Sequence, residues 1–364
     1  VVAHSEGKWL TVGDNQTPVL GVTVGDPAGI GPEISVATVI RPEIREQCRA
    51  VLYADPCIIE RAASIVGERV EVRVVADPAD ASPDPAVVDV IDIDVVSDSA
   101  QIEFGRVQEL AGRAAVGSIE AAVADALAGH TAGIVTAPIN KEAIWATGSE
   151  FLGHTEMLQD LTGAEKTDTM FVLGELCTFF ATRHMSLLQA VQSIKQDLLV
   201  GSIVRALKAL EVFGYTQPRL AVAALNPHGG ENGHFGREEL DEIIPAIQQI
   251  NAVTGAGVIG PIPADSVWHL GLKGAFDGIL SLYHDQGHIA TKTYDFDRTV
   301  SVTVGLPILR TSVDHGTAFD IAGTGKAAPQ TMISAFEAGV RFSARNQAIA
   351  TAYPSRDSHT QPAN

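Results

Sequence analysis

Two histidines stand four residues apart in "SLYHDQGHIATK", residues 281–292, around Asp285, Gln286 and Gly287. Three more lie in "GHTEML" (His154), "ATRHMSL" (His184) and "NPHGGENG" (His228), with glycine or small polar residues close by. Imidazole suits zinc-like divalent ions, and three protein ligands with one open position define a catalytic rather than a structural metal site. A loop histidine can equally be a hydrogen-bonded or solvated residue. The 281–292 stretch therefore reads in two ways. It is an active-site loop delivered by a strand, or a turn carrying two solvated histidines.

Lys292 and Arg310 are the candidate cations, the second at the end of "VSVTVGLPILR". A strand and Pro307 are expected to hold Arg310, and a fixed planar guanidinium suits bidentate recognition of an oxyanion. The competing reading is a surface pair with one of the many acids. In "GHTEML", Thr155 is expected to cap a helix beginning near Glu156, leaving N–H groups that can accept phosphate or carboxylate. A capped helix with no ligand is the plain alternative. The glycine-rich, nearly uncharged "DHGTAFDIAGTGKA" (314–327) sets Asp320 between Phe319 and Ile321. Such a loop can wrap a flat adenine, with apolar groups on the ring and a carboxylate on the ribose hydroxyls. "GDPAGIGPE" is also glycine-rich, but its proline-containing pattern does not meet GxGxxG, so no dinucleotide fingerprint is assigned there.

These residues need a frame, and the hydrophobic periodicity supplies one. A β-branched strand over residues 19–24 runs through "GDPAGIGPE" into the helix "PEISVATVI", with Pro32 in its first turn. "AVVDVIDIDVV" alternates as a half-buried strand does, and "SIEAAVADALAG" has helical spacing and a terminal glycine. Strands and helices keep alternating as far as "PQTMISAFEAGVRFSARNQ", which indicates α/β layers around a largely parallel sheet. In such folds ligands bind in loops at strand ends, where the histidines fall.

The chain has 364 residues, enough for two domains sharing a cleft. With 44 acidic against 25 basic residues, a net charge of −19 argues against nucleic acid and anionic membranes as partners. An anionic substrate must then be recruited by a few local cations. Cys48, Cys57 and Cys177 are scattered, which indicates neither a disulfide framework nor a thiolate metal site and suggests a reducing cytoplasm. The polar N-terminus lacks an apolar signal core, and no run approaches the ~18–20 apolar residues of a membrane span.

Taken in order, "GDPAGIGPE", "TAPINKE", "GHTE", "NPHGGENG", "GPIPAD", "YHDQGH" and "GLPILRTSVDHGTAFDIAG" resemble the 4-hydroxythreonine-4-phosphate dehydrogenase family over roughly residues 18–345. The resemblance implies a two-domain α/β/α subunit of the isocitrate/isopropylmalate dehydrogenase type, with the active site in a cleft. The expected division is 18–145 plus 300–350 as a cofactor-side domain and 146–299 as a metal, substrate and dimerisation domain. Residues 1–17 and 351–364 are expected to be flexible termini. It also implies a homodimer with one divalent cation (Zn, Mg, Co or Mn) per active site, held by His184, His228 and His284, these ligands being shared across the interface. His154, Thr155, Lys292 and Arg310 would contact substrate. The cofactor would be NAD, with NADP as the alternative, held by the loop of Gly316, Thr317, Asp320 and Ile321. One departure stands out: Ser301 takes the place of a substrate-binding Asn.

On this resemblance the reaction is metal-dependent, NAD-linked oxidation and decarboxylation of a 4-phosphorylated 3-hydroxy acid. The substrate would be 4-hydroxythreonine 4-phosphate or a close analogue. Relatives acting on 4-phosphorylated threonate or erythronate, or on cis-dihydrodiol carboxylates, mark the alternatives. Lys292 and Asp265 are the acid–base candidates, Asp265 being equally readable as a contact behind the metal ligands or a turn cap. A metal-dependent hydrolase using the same histidines is the reading from a different class. The adenosine-type loop weighs against it.

Overall fold

The computed structural model describes residues 17–356. Twelve strands form one continuous sheet: β1 Val19–Thr23, β2 Arg49–Tyr53, β3 Glu71–Val74, β4 Val87–Ile91, β5 Ile134–Thr136, β6 Asp168–Leu173, β7 Leu176–Phe180, β8 Leu220–Ala223, β9 Ile259–Ile262, β10 Gly278–Ser281, β11 Val300–Val304 and β12 Arg310–Ser312. Their spatial order is β3-β4-β2-β1-β5-β12-β11-β6-β7-β10-β8-β9. The fold is α/β, as the alternating pattern indicates.

Each flank of the sheet is parallel, and the middle is not. β11 runs antiparallel to both β12 and β6, and β6 antiparallel to β7. Strand direction therefore reverses where residues 300–312 meet residues 168–180, the kind of switch point at which α/β folds leave a crevice. β1, β7 and β11 are buried along their whole length, which accounts for their near-continuous apolar runs. The edge strand β3 is polar and partly exposed, as an unpaired edge requires.

In-register pairing aligns Thr23 with Thr136 and Thr136 with Ser312 at the ends of β1, β5 and β12. Three neighbouring strands thus end in a row of hydroxyl residues. Helices Gly31–Val39, Gln196–Val212 and Gln330–Ser343 cover the sheet and contribute Ile34, Ile203 and Phe336 to the main core.

Three local expectations are corrected. The stretch 281–292 is no loop beyond Tyr283, because His284–Tyr294 is a helix. Its interior Gly287 lets the helix settle on β7, since a Cβ there would lie 2.6 Å from Phe180 Cε1. Arg310 opens β12 rather than closing the preceding strand. The 154–162 helix starts at His154 with Gly153 at its N-cap and no side-chain cap, so Thr155 sits in the first turn instead of capping it.

Residues 351–356 belong to the stretch expected to be flexible, and they are tied to the body. Lys208 Nζ donates to Ala352 O at 2.8 Å and Arg356 N to Gly163 O at 3.0 Å. The remaining residues of both expected flexible termini, apart from Thr17, lie outside the described range. Among the described residues no helix is long and apolar enough to cross a membrane.

Candidate active site

Arg310 is 5% exposed. Its Nη1 donates to Thr303 Oγ1 at 2.9 Å, while Nε and Nη2 both donate to Thr136 Oγ1, at 3.0 and 2.7 Å. Those partners are neutral hydroxyls, and no carboxylate pairs with this guanidinium among the described residues. Burial pulls its pKa down to about 10, with Asp314 opposing, so it stays charged at neutral pH. A buried cation without a counter-ion is unfavourable on its own. It is consistent with a site that takes an anion.

His154 faces the same charge. Its Nε2 is sealed from solvent with no hydrogen-bond partner. Burial first, and Arg310 second, push its pKa well below the ordinary value, so the imidazole is neutral. Thr155 follows, half-buried, at a helix end whose first N–H groups have no side-chain cap. Ser301, 8% exposed, lies directly opposite Ser312 across β11 and β12.

The 284–294 helix brings His284 to the end of β10. Gln286 fixes that end, its Oε1 accepting from Leu282 N at 2.7 Å and its Nε2 donating to Ala224 O at 2.8 Å. One turn on, the His288 ring stacks on His284 at 3.6 Å between centroids, and Phe171 and Phe180 enclose its other side. Desolvation pushes the His288 pKa down to about 4, so its ring is neutral, with Nδ1 2.8 Å from His284 O. The His184 and His284 rings lie 5.8 Å apart. They border a cleft of about 260 Å³ with Arg183, Met185, Tyr283 and Asp285. Partial burial, then Arg183, His284 and Lys141, hold His184 below its usual pKa, favouring the neutral ligating form.

His228 stands apart from this pair. It is exposed, on a turn where its own backbone is left-handed (φ 53, ψ 26). Glu239 braces that turn, accepting from Leu225 N, Asn226 N and Asn226 Nδ2 at 2.7–2.9 Å. Among the described residues, no three His, Cys, Asp or Glu side chains converge to hold a metal within one chain. The two neighbouring imidazoles of His184 and His284 fit part of a zinc-type site.

Lys292, in the last turn of its helix, ion-pairs with the Asp314 carboxylate and donates to Asp314 O at 3.1 Å. That acid opens the 314–327 stretch. There Thr317 is buried and its carbonyl accepts from Ile30 N at 3.0 Å, while Gly316 and Asp320 are exposed and Ile321 is half-buried. An exposed carboxylate on a braced loop fits the ribose-facing role. Asp265 is exposed in the first turn of the helix Ala264–Leu272, which has no side-chain cap, so it does not act as a cap.

With this arrangement established, likeness to other proteins becomes informative. Residues 46–339 match the family of the pyridoxal phosphate biosynthetic protein PdxA. The chain belongs to this family. It is 58% identical over 327 residues to a Cutibacterium acnes protein named "Putative D-threonate 4-phosphate dehydrogenase", covering 90% of this chain and 94% of that one. A Symbiobacterium thermophilum protein of the same name is 49% identical over 327 residues, covering 90% and 97%. A solved 4-hydroxythreonine-4-phosphate dehydrogenase from Klebsiella pneumoniae superposes with a TM-score of 0.82 at 39% identity, covering 90% and 99%.

Three residues around this candidate site have no role assigned to them by the sequence. Lys141 acts electrostatically on His184, although it lies 43 positions earlier in the chain (184 − 141). Gln286 and Glu239 hold the two histidine-bearing turns. Lys141 lay in view within "TAPINKE". Gln286 lay in view within "YHDQGH", whereas nothing local marks Glu239.

Proposed function

We propose that the chain is a metal-dependent, NAD-linked dehydrogenase that oxidises and decarboxylates a 4-phosphorylated 2,3-dihydroxy acid, D-threonate 4-phosphate or its close analogue. One observation carries the reading. Arg310 is a buried guanidinium with no carboxylate partner among the described residues, set near a neutral, half-buried histidine in a protein of net charge −19. That is an arrangement suited to receive an anion. Ser301 favours the hydroxy acid over the amino acid, because a serine hydroxyl lacks the reach and the amide oxygen with which Asn could accept from an ammonium group. The names of the two relatives point the same way.

NAD⁺, when bound at 314–327, supplies the hydride acceptor. A divalent cation held by His184, His228 and His284 would supply Lewis acidity toward the reacting hydroxyl and the developing enolate. Since His228 does not join the other two within one chain, the shared site of a homodimer is the assembly that completes it. The protein's own groups do the rest. Arg310, Lys292 and the 154–162 helix end orient phosphate and carboxylate, and the His154 Nε2 supplies a neutral hydrogen-bonding contact.

The reaction balances without an outside proton. A bound NAD⁺ would accept the C3–H as hydride, and the hydroxyl proton would pass to a base. The C–C bond to the carboxylate then breaks, CO₂ departs, and the proton returns to C2. The products are NADH, CO₂ and a phosphorylated three-carbon hydroxyketone. One residue can both take and return the proton; Lys292 is our candidate, with Asp265 the second.

The test mixes protein, NAD⁺, a divalent cation and either 4-phospho-D-threonate or 4-hydroxythreonine 4-phosphate. Faster growth of absorbance at 340 nm with the hydroxy acid, together with CO₂ release, is expected. Phosphate release with no NADH would establish the hydrolase instead.

A further inference from the structure

Glu33 ends "GDPAGIGPE", a stretch whose glycines suggest a phosphate cradle that its spacing does not match. Its carboxylate is turned toward the chain's own far end. Glu33 is 2% exposed, and its Oε1 accepts from Gly323 N at 2.6 Å while Oε2 accepts from Gly325 N at 3.1 Å. Both glycines have left-handed backbone, φ +78 and +67, which lets their N–H groups converge on one carboxylate. The loop is closed from its other side by Phe104, whose ring would lie 2.4 Å from a Cβ at Gly323. Phe104 is in turn backed by the Arg61 guanidinium at 4.1 Å from its centroid. Arg61 is fully engaged with the carbonyls of Ser99, Ile102 and Pro27.

We infer that Glu33 is a positioning residue for the cofactor: its clamp on Gly323 and Gly325 sets the curvature of the 314–325 segment, and so the placement of Asp320 and Ile321 against adenosine. This rests on the reading that 314–327 takes the adenosine half of NAD⁺. A buried carboxylate bonded to two backbone N–H groups is a strong, directional staple. The glycine-rich N-terminal segment would thus serve the cofactor through Glu33. Glu33→Gln leaves one acceptor oxygen and sets an NH₂ group against a backbone donor, while adding no bulk.

The experiment compares Glu33→Gln, Gly323→Ala and Asp320→Asn with the parent enzyme, in steady-state kinetics and in deuterium exchange of residues 316–325. Losing one charge-assisted bond should raise KM for NAD⁺ roughly tenfold or more in Glu33→Gln, while kcat at saturating NAD⁺ and KM for the phosphorylated acid change by less than about threefold. Gly323→Ala, which pushes the loop off Phe104, should reproduce the split. In both, exchange at 316–325 should quicken in the free protein and slow again with saturating NAD⁺. If Asp320→Asn alters KM for NAD⁺ and the other two variants do not, the clamp is refuted and the loop reading stands. If no variant alters it and NAD⁺ leaves exchange at 316–325 unchanged, both are refuted. The Gly323→Ala arm keeps the outcome decisive should Glu33→Gln fail to fold.

Discussion

Arg310 gives two donors, Nε and Nη2, to one oxygen, Thr136 Oγ1, and so is held by a neutral hydroxyl where a carboxylate would ordinarily sit. The arrangement separates function from stability. Arg310→Met removes an uncompensated buried charge, so Tm should stay level or rise. Loss of the anion contact should lower kcat/KM roughly tenfold or more. Lys292→Ala should lower it comparably while bound metal is retained. Calorimetry and steady-state kinetics together check this. A fall in Tm as large as that of a core truncation would make Arg310 structural.

His184→Ala, His228→Ala and His284→Ala should each lose divalent metal and nearly all turnover, and His288→Ala should keep its metal. Elemental analysis of the purified variants decides it. Full occupancy in any of the first three would remove that residue from the ligand set. Because the third ligand comes from a second chain in our reading, mixing His228→Ala with His284→Ala should restore metal at one of the two sites of the hybrid dimer.

The exposed Asp320 should accept hydrogen bonds from ribose hydroxyls and repel a 2′-phosphate. NAD⁺ should therefore be preferred over NADP⁺, and Asp320→Asn should narrow the preference. Equal efficiency with both cofactors in the parent enzyme would contradict this.

Position 301 should read the C2 substituent. Ser301→Asn is expected to shift the kcat/KM ranking toward the aminated phospho-acid and away from the hydroxylated one. If the ranking does not move, Ser301 makes no contact that discriminates them.

Asp26, fully buried three residues past β1, has one oxygen bonded to Ala28 N at 2.8 Å and the other, Oδ2, without a hydrogen-bond partner among the described residues. Desolvation raises its pKa from 3.8 to about 6, with the Ala28 bond opposing. The fold thus favours the protonated carboxyl. That contribution is complete below the unfolded pKa and is lost as pH rises through about 6. Asp26→Asn, neutral throughout, should gain stability relative to the parent between about pH 4 and pH 7, by about 2–3 kcal/mol at most. Urea titrations at both ends of that range test the sign. A gap that widens toward acid would overturn it.

Much of the fold and of the candidate site could be read from the chain, because the signals are local. Alternation of apolar residues marks strands such as Val19–Thr23, 3.6-residue spacing marks helices, and the residue types at 154, 184, 284 and 310 announce ligands and cations. Local signals also misled. "HDQGHIATKTY" looks like a turn because glycine and polar residues disfavour helices, yet the close seat of Gly287 on Phe180 makes a helix there. Only the tertiary structure decided that Arg310 is held by hydroxyls and paired with no carboxylate among the described residues, that Lys292 is paired with the head of the 314–327 loop, and that His228 does not cluster with His184 and His284 there. The same holds for Glu33, whose partner Gly323 lies 290 residues away. Hydrogen bonds and charge compensation across such separations are set by which strand ends the sheet brings together, and spacing along the chain carries no trace of them.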